Sequence, residues 1–225
     1  IENCEASKEM KSFLVIGMGR FGSQLAGKLI QMDNEVMVVD KDPEVIERVA
    51  SSFTDAQIGN CTNPTVLQSL GINNFDVCFV TIGENFQSSL EITSLLKEMG
   101  ANKVVSKADS EIQRKFLLRN GADEVVYPIK EVAEKLAIRM SANNIFDYIE
   151  ISPEYSISEI PVHESWAGRS IASSDIRRKY HVNILAVKRG ERLMPMPSAE
   201  YVLDGDDHVV IIGKNSDIFK LSSRI

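Results

Sequence analysis

The residues best equipped for chemistry stand near the start of the chain: Gly17-Met18-Gly19-Arg20-Phe21-Gly22, followed eighteen residues past Gly22 by Asp40. Glycines in this spacing suit the binding of a phosphate. Gly17 permits a tight turn, Gly19 lets the backbone approach a phosphate, and Gly22 lets a helix lie against a sheet. The unpaired N–H groups at the positive end of that helix then face the anion. The carboxylate of Asp40 can accept hydrogen bonds from the two hydroxyls of a ribose, and it repels a 2′-phosphate. Arg20 stands at the start of the helix, where its guanidinium can fork onto phosphate oxygens. A cation is disfavoured at a helix N-terminus unless an anion is there, although a pairing with Asp40 would also account for it. Lys107, ending a later strand, falls on the same side as the ligand or simply extends its amine to water.

Catalytic chemistry is harder to find. Hydride transfer needs a proton donor or acceptor beside the substrate carbonyl. All three histidines, His163, His181 and His208, lie in the C-terminal region without a carboxylate at a suggestive spacing. The sequence contains no serine-histidine elbow, metal-ligand cluster or catalytic cysteine setting. Cys4, Cys61 and Cys78 are odd in number and lack CxxC spacing, which fits reduced thiols better than a disulfide framework or zinc site. A formal net charge of −7 over 225 residues argues against a partner made of nucleic acid, which demands a concentrated positive face. No apolar run approaches the roughly 18–20 residues of a membrane span, and nothing reads as a signal peptide, so a soluble cytoplasmic protein is expected.

The elements that must position these groups follow from periodicity. A buried strand, Phe13 to Ile16, runs into the glycines, and a helix with Leu25, Ala26, Leu29 and Ile30 leaves them. Strands at Glu35 to Val39, Ala56 to Gly59, Val77 to Thr81, Lys103 to Lys107 and Glu124 to Tyr127 alternate with helices that begin at Pro43, Pro64, Phe86 and near Ile112. This alternation predicts a Rossmann-like, doubly wound parallel sheet, with the ligand at the carboxyl ends of its strands where the strand order reverses. The pattern changes at Pro128. A helix over Glu131 to Asn144 carries one apolar stripe (Val132, Ala133, Leu136, Ala137, Met140), and no strand of the first sheet follows it. Short strands then appear at Ser156 to Val162, Asn183 to Lys188 and His208 to Ile212, with helices at Ser173 to Tyr180 and Ser216 to Leu221, predicting a small α+β domain. The expected organisation is an N-terminal arm (1–10), a nucleotide-binding domain (11–128), a crossover helix and linker (129–146) and the small domain (147–225).

Several loop motifs agree in order with one family. Gly17 to Gly22, Val38-Val39-Asp40, Gly59-Asn60-Cys61-Thr62, Leu70-Gly71-Ile72, Gly83-Glu84-Asn85, Lys107-Ala108 and Gly121-Ala122-Asp123 resemble the RCK proteins, cytoplasmic gating subunits of bacterial potassium channels and transporters, and most of all their KtrA branch. Asp175 to Tyr180 and Val182 to Lys188 extend the likeness into the family's RCK-C domain. The resemblance implies ATP or ADP, or alternatively NAD or NADH, held by Gly17, Met18, Gly19, Arg20, Phe21, Gly22, Asp40, Lys41, Asn60, Cys61, Ile82, Gly83, Asn85 and Lys107. It implies cyclic di-AMP at an RCK-C dimer interface formed by Ile176, Arg177, Asn183, Ile184 and Pro197. It also implies dimers assembled into an octameric ring beneath a membrane potassium-transporter subunit, with no enzymatic activity and a place at the inner face of the membrane. The family often has Asp where Asn60 stands. Members that use a cation at the subunit interface carry Glu at the position of Ile129, so no metal is expected. The alternatives are an NAD-dependent oxidoreductase and a redox-sensing transcription factor, the latter disfavoured by the acidic charge and the lack of a helix-turn-helix region.

Overall fold

A computed structural model describes residues 10–53, 55–141 and 144–223. Apart from Met10, the expected N-terminal arm lies outside the described residues, as does Cys4. The chain divides into two units between Ile129 and Lys130.

In the first unit, β1 (Ser12–Ile16), β2 (Glu35–Asp40), β3 (Asp55–Ile58), β4 (Val77–Val80), β5 (Val104–Lys107) and β6 (Glu124–Val126) form one parallel sheet in the order β3-β2-β1-β4-β5-β6. Helices α1 (Arg20–Gln31), α2 (Pro43–Val49), α3 (Pro64–Ser69), α4 (Phe86–Glu98) and α5 (Glu111–Arg119) connect them. The central strands are apolar on both faces because both faces are covered. Phe13 and Val15 join Ala26 of α1 and Ile46 of α2 on one side. Leu14 and Ile16 join Leu67 of α3 and Ile92 and Leu96 of α4 on the other. The chain therefore changes sides between β1 and β4, and a crevice opens at their carboxyl ends.

Side-chain caps start four of these helices. Asp42 accepts from Glu44 N (2.9 Å), Asn63 from Thr65 N (3.0 Å), Asn85 from Ser88 N (3.1 Å) and Ser110 from Gln113 N (3.3 Å). Each satisfies an amide that the helix itself leaves unpaired. Among α1 to α5, only α1 begins without such a cap: Gly19 stands at its N-cap, and its first turn contains no acid.

The second unit is built on an antiparallel sheet, β10-β9-β11-β8-β7. In chain order its elements are α6 (Pro128–Ser141, beginning in the first unit), β7 (Asp147–Ser152), β8 (Tyr155–Pro161), α7 (Ile171–Ser174), α8 (Ile176–Tyr180), β9 (Val182–Arg189), β10 (Arg192–Pro195), β11 (His208–Lys214) and α9 (Asn215–Ser222). Ile160, Val209 and Ile211 on one face of the sheet pack with Trp166, Ile176, Leu203, Ile218 and Leu221. Ile138 of α6 packs on this core, while Val132 and Met140 are 66% and 67% exposed.

Three features differ from the sequence expectation. The helix expected over Ser173 to Tyr180 is two short helices, because Asp175 adopts the left-handed conformation (φ 48°, ψ 37°) between them, a conformation that Asp tolerates better than most residues. Strands β7 and β10 were not anticipated. Both are edges of the sheet, β10 is exposed along its length, and neither shows the alternating burial that marks a strand in sequence. The crossover helix starts at Pro128 instead of near Glu131, since proline is well suited to the first turn of a helix.

Asp207 anchors the second unit electrostatically. Its fully buried carboxylate accepts from Arg189 Nε (2.6 Å) and Nη2 (3.0 Å), from the Tyr201 hydroxyl (3.0 Å) and from Asp204 N (3.0 Å). Burial by itself would raise this carboxyl, but these donors outweigh it and hold Asp207 below its ordinary 3.8. For Glu159, likewise, burial is outweighed by Lys188 and His208, and the group is held below 4.5. Both carboxylates therefore stabilise the fold above their ordinary values, and that stability is lost as the pH falls through the lowered folded values. Melting curves of the full chain should show the second unit losing stability below about pH 4. Asp207→Asn should cost about 1–3 kcal/mol at neutral pH and flatten the acid limb. Acid limbs of equal slope in the wild type and the variant would remove Asp207 from this role.

Candidate functional site

The crevice between β1 and β4 holds a cleft of about 330 Å³. Nine of the residues expected from the sequence line it: Gly17, Gly19, Asp40, Lys41, Asn60, Cys61, Ile82, Gly83 and Asn85. The glycine loop is fixed from below and from the side. Gly17 has φ 99°, a conformation that favours glycine, and its amide donates to Val39 O (2.8 Å). A Cβ on Gly22 would run into the Gly17 carbonyl oxygen and lie 2.6 Å from Thr81 Oγ1, so the first turn of α1 is seated directly beneath the loop. Gly19 differs: its φ is an ordinary −67°, and a Cβ there would meet nothing within 4 Å. The fold does not require glycine at 19, and the space it keeps open belongs to the cleft.

Asp40 has a second task besides facing the cleft. Its Oδ2 accepts from Met18 N (2.6 Å) and its Oδ1 from Asp42 N (3.0 Å), tying the glycine loop to the end of β2. Each carboxylate oxygen can still accept a further bond. Asn60 uses its Oδ1 within its own turn, accepting from Thr62 N (3.1 Å) and Thr62 Oγ1 (2.9 Å). Cys61 is buried in the cleft wall. Burial first, and the charge of Asp40 second, push its thiol up to about 12, so it stays protonated and is a poor nucleophile at neutral pH.

Five expected residues stand elsewhere. Met18 contributes its amide to Asp40, Gly22 lies beneath the loop, and Phe21 is half-buried on α1 outside the cleft lining. Arg20 lines an adjoining hollow of about 650 Å³ that shares Gly19, Val45 and Glu84 with the cleft and also takes Arg48. Asp40 is occupied by backbone amides and forms no ion pair with Arg20 among the described residues. Lys107 is tied to Asp109 (2.6 Å) and packs against Gly83, where a Cβ would come 2.8 Å from its amine.

Sequence reasoning missed Thr81, whose Oγ1 donates to Gly17 O (2.5 Å) and lies 3.1 Å from Ile16 O. The available signal was a hydroxyl at the end of an otherwise apolar buried strand.

In the second unit, Ile176, Arg177, Asn183, Ile184 and Pro197 line one hollow of about 290 Å³, together with Ile171, Ala172, Asp175 and Val182. This places the residues of α8, the start of β9 and the loop after β10 on a common wall. Elsewhere in this unit, His208 Nδ1 lies 2.8 Å from Glu159 Oε1, and Glu159 also accepts from Lys188 at 2.9 Å. The fold thus gives His208 the carboxylate that its sequence neighbourhood lacked, and Lys188 already neutralises that carboxylate. Among the described residues, no group of three or more His, Cys, Asp or Glu side chains is placed to hold a metal ion, and no helix is long and apolar enough to cross a membrane.

Comparison with known proteins agrees with both units. Residues 13–128 match the TrkA-N domain and residues 156–225 the TrkA-C domain. The chain is 38% identical to the Ktr system potassium uptake protein C of Bacillus subtilis, over 96% of this chain and 97% of that protein. It is also 38% identical to the Ktr system potassium uptake protein A of the same organism, over 95% and 96%. Among solved structures, the GsuK channel superposes with a TM-score of 0.71 at 21% identity, over 97% of this chain and 40% of the channel chain. The GsuK channel bound to NAD gives 0.67 at 21%, over 94% and 38%. The chain thus spans less than half of these structures, and at that identity they share its fold. Two matched domains in this order, and relatives aligned over nearly all of the chain, establish that it belongs to the TrkA-N/TrkA-C family of Ktr and Trk potassium uptake proteins.

Proposed function

We propose that the chain is a non-catalytic regulatory subunit of a potassium uptake system that binds ATP or ADP in the glycine cleft, with NAD or NADH as the alternative ligand, and cyclic di-AMP in the second-unit hollow. Its partners are further copies of itself, dimers building an octameric ring, and a membrane potassium-transporter subunit that keeps it at the cytoplasmic face of the membrane. The observation that carries the reading is the uncapped N-terminus of α1. The other four helices of the first sheet receive side-chain caps, whereas α1 has none: its first-turn amides meet no side-chain acceptor, and its N-cap residue Gly19 lines the cleft together with Asp40. A phosphate on those amides and a ribose on Asp40 suit an adenine nucleotide. GsuK, which shares the fold, has been solved with NAD and with ADP. The protonated Cys61 supplies no activated nucleophile in the cleft.

The second hollow has a guanidinium for a phosphodiester and apolar walls for bases. A symmetric dinucleotide can engage two such hollows across a two-fold axis, each subunit presenting the same residues.

Four expectations test this. Arg20→Ala should weaken ATP about tenfold to a hundredfold and NAD by less, because it deletes a charged fork aimed at phosphate; equal and negligible losses would leave Arg20 as a surface residue. Asp40→Asn should weaken all ribose-bearing adenine ligands by similar factors in the same titrations, and loss of one ligand alone would contradict a shared ribose contact. Gly19→Ala should keep the melting temperature close to wild type while impairing nucleotide binding, whereas Gly22→Ala should destabilise the fold itself. Calorimetry on the full chain should find half a cyclic di-AMP per subunit, lost in Arg177→Ala and retained in Arg20→Ala. Consumption of NADH with any carbonyl substrate would overturn the non-enzymatic reading.

A further inference from the structure

We infer that Asp175 reads the sugar of the ligand in the second hollow, accepting a ribose 2′-hydroxyl, so that the site selects ribonucleotide over deoxyribonucleotide cyclic dinucleotides. The inference rests on the reading of that hollow as a cyclic di-AMP site. Asp175 joins Arg177 as a charged residue on a wall that is otherwise mostly apolar. Its backbone is held at both ends: its amide donates to Ala172 O (3.4 Å), and its carbonyl accepts from Lys179 N (3.0 Å). Its half-buried carboxylate caps neither short helix by a side-chain bond and forms no ion pair among the described residues.

A carboxylate that only accepts, in a hollow for a ligand with two phosphodiester charges, repels that ligand unless the ligand offers it a proton donor. Cyclic di-AMP carries two kinds of donor, the amino groups of its bases and the 2′-hydroxyls of its sugars. The apolar residues Ile176, Ile184 and Pro197 suit the flat faces of the bases. Arg177, two residues from Asp175, suits the phosphodiester. The 2′-hydroxyl sits on the carbon next to the one that carries the 3′-phosphodiester, so neighbouring residues of one short segment can take neighbouring groups of one nucleotide. A hydroxyl donating to a carboxylate is among the stronger hydrogen bonds. Asp40 supplies the same acceptor chemistry in the first cleft.

The test is calorimetry on the full chain with cyclic di-AMP, its 2′-deoxy counterpart and cyclic di-GMP. Because position 175 is left-handed, the variants are Asp175→Asn and Asp175→Gly, which tolerate φ 48°. The wild type should prefer the ribonucleotide by about tenfold or more. Asp175→Gly should bind both ligands with equal affinity, and Asp175→Asn should fall between. An unchanged preference in Asp175→Gly would overturn the inference, as would a change in adenine-over-guanine preference with the sugar preference intact. Absence of cyclic di-AMP binding to the wild type would instead overturn the reading of the hollow, and this inference with it.

Discussion

The close seat of Gly22 beneath the Gly17 carbonyl is the contact on which the first unit depends. With no side chain at 22, the first turn of α1 comes down onto the end of β1, and the hydroxyl of Thr81 closes on the same carbonyl from β4. The end of β1, the start of α1 and Thr81, 64 residues further along the chain, therefore meet at one peptide group, at the point where the chain changes sides of the sheet. The crevice, the orientation of the α1 amides and the openness at Gly19 all follow from that meeting. A side chain at 22 would push the first turn of the helix off the end of β1.

Asp40 couples this seat to the cleft. By holding Met18 N at 2.6 Å it fixes the glycine loop before anything binds, and it retains acceptor capacity on the open side. Preorganisation of this kind lowers the ordering cost of binding. It also ties the end of β2 to the loop after β1 at the edge of the cleft.

The second unit solves a different problem. Its sheet is small, its outer strands are exposed, and charged groups tie its inner strands together: Asp207 with Arg189 and Tyr201, Glu159 with Lys188 and His208. A buried carboxylate left without donors would be costly, and here the donors come from strands and loops that are separated in sequence. These ties bind β8, β9, β11 and the loop before β11 to one another. That leaves the wall made by α8 and the start of β9 free to form the hollow lined by Arg177 and Asn183.

The strand, glycine turn, helix and acid at Asp40 were legible in the sequence because each is decided locally: glycine spacing, apolar runs and a carboxylate at a strand end keep their meaning whatever the rest of the chain does. The doubly wound parallel sheet followed from the alternation of strands with helices, whereas its strand order, β3-β2-β1-β4-β5-β6, came from the folded chain. What local pattern could not supply was every pairing that depends on the tertiary course of the chain. Thr81 reaches Gly17 across 64 residues and His208 reaches Glu159 across 49. Arg20 faces an adjoining hollow with Arg48, and the edge strands β7 and β10 exist because a neighbouring strand offers hydrogen bonds that their own sequence does not advertise. Only the folded chain settled these, because the energy of a polar contact lies in the partner and its distance, and neither is written in the residue itself.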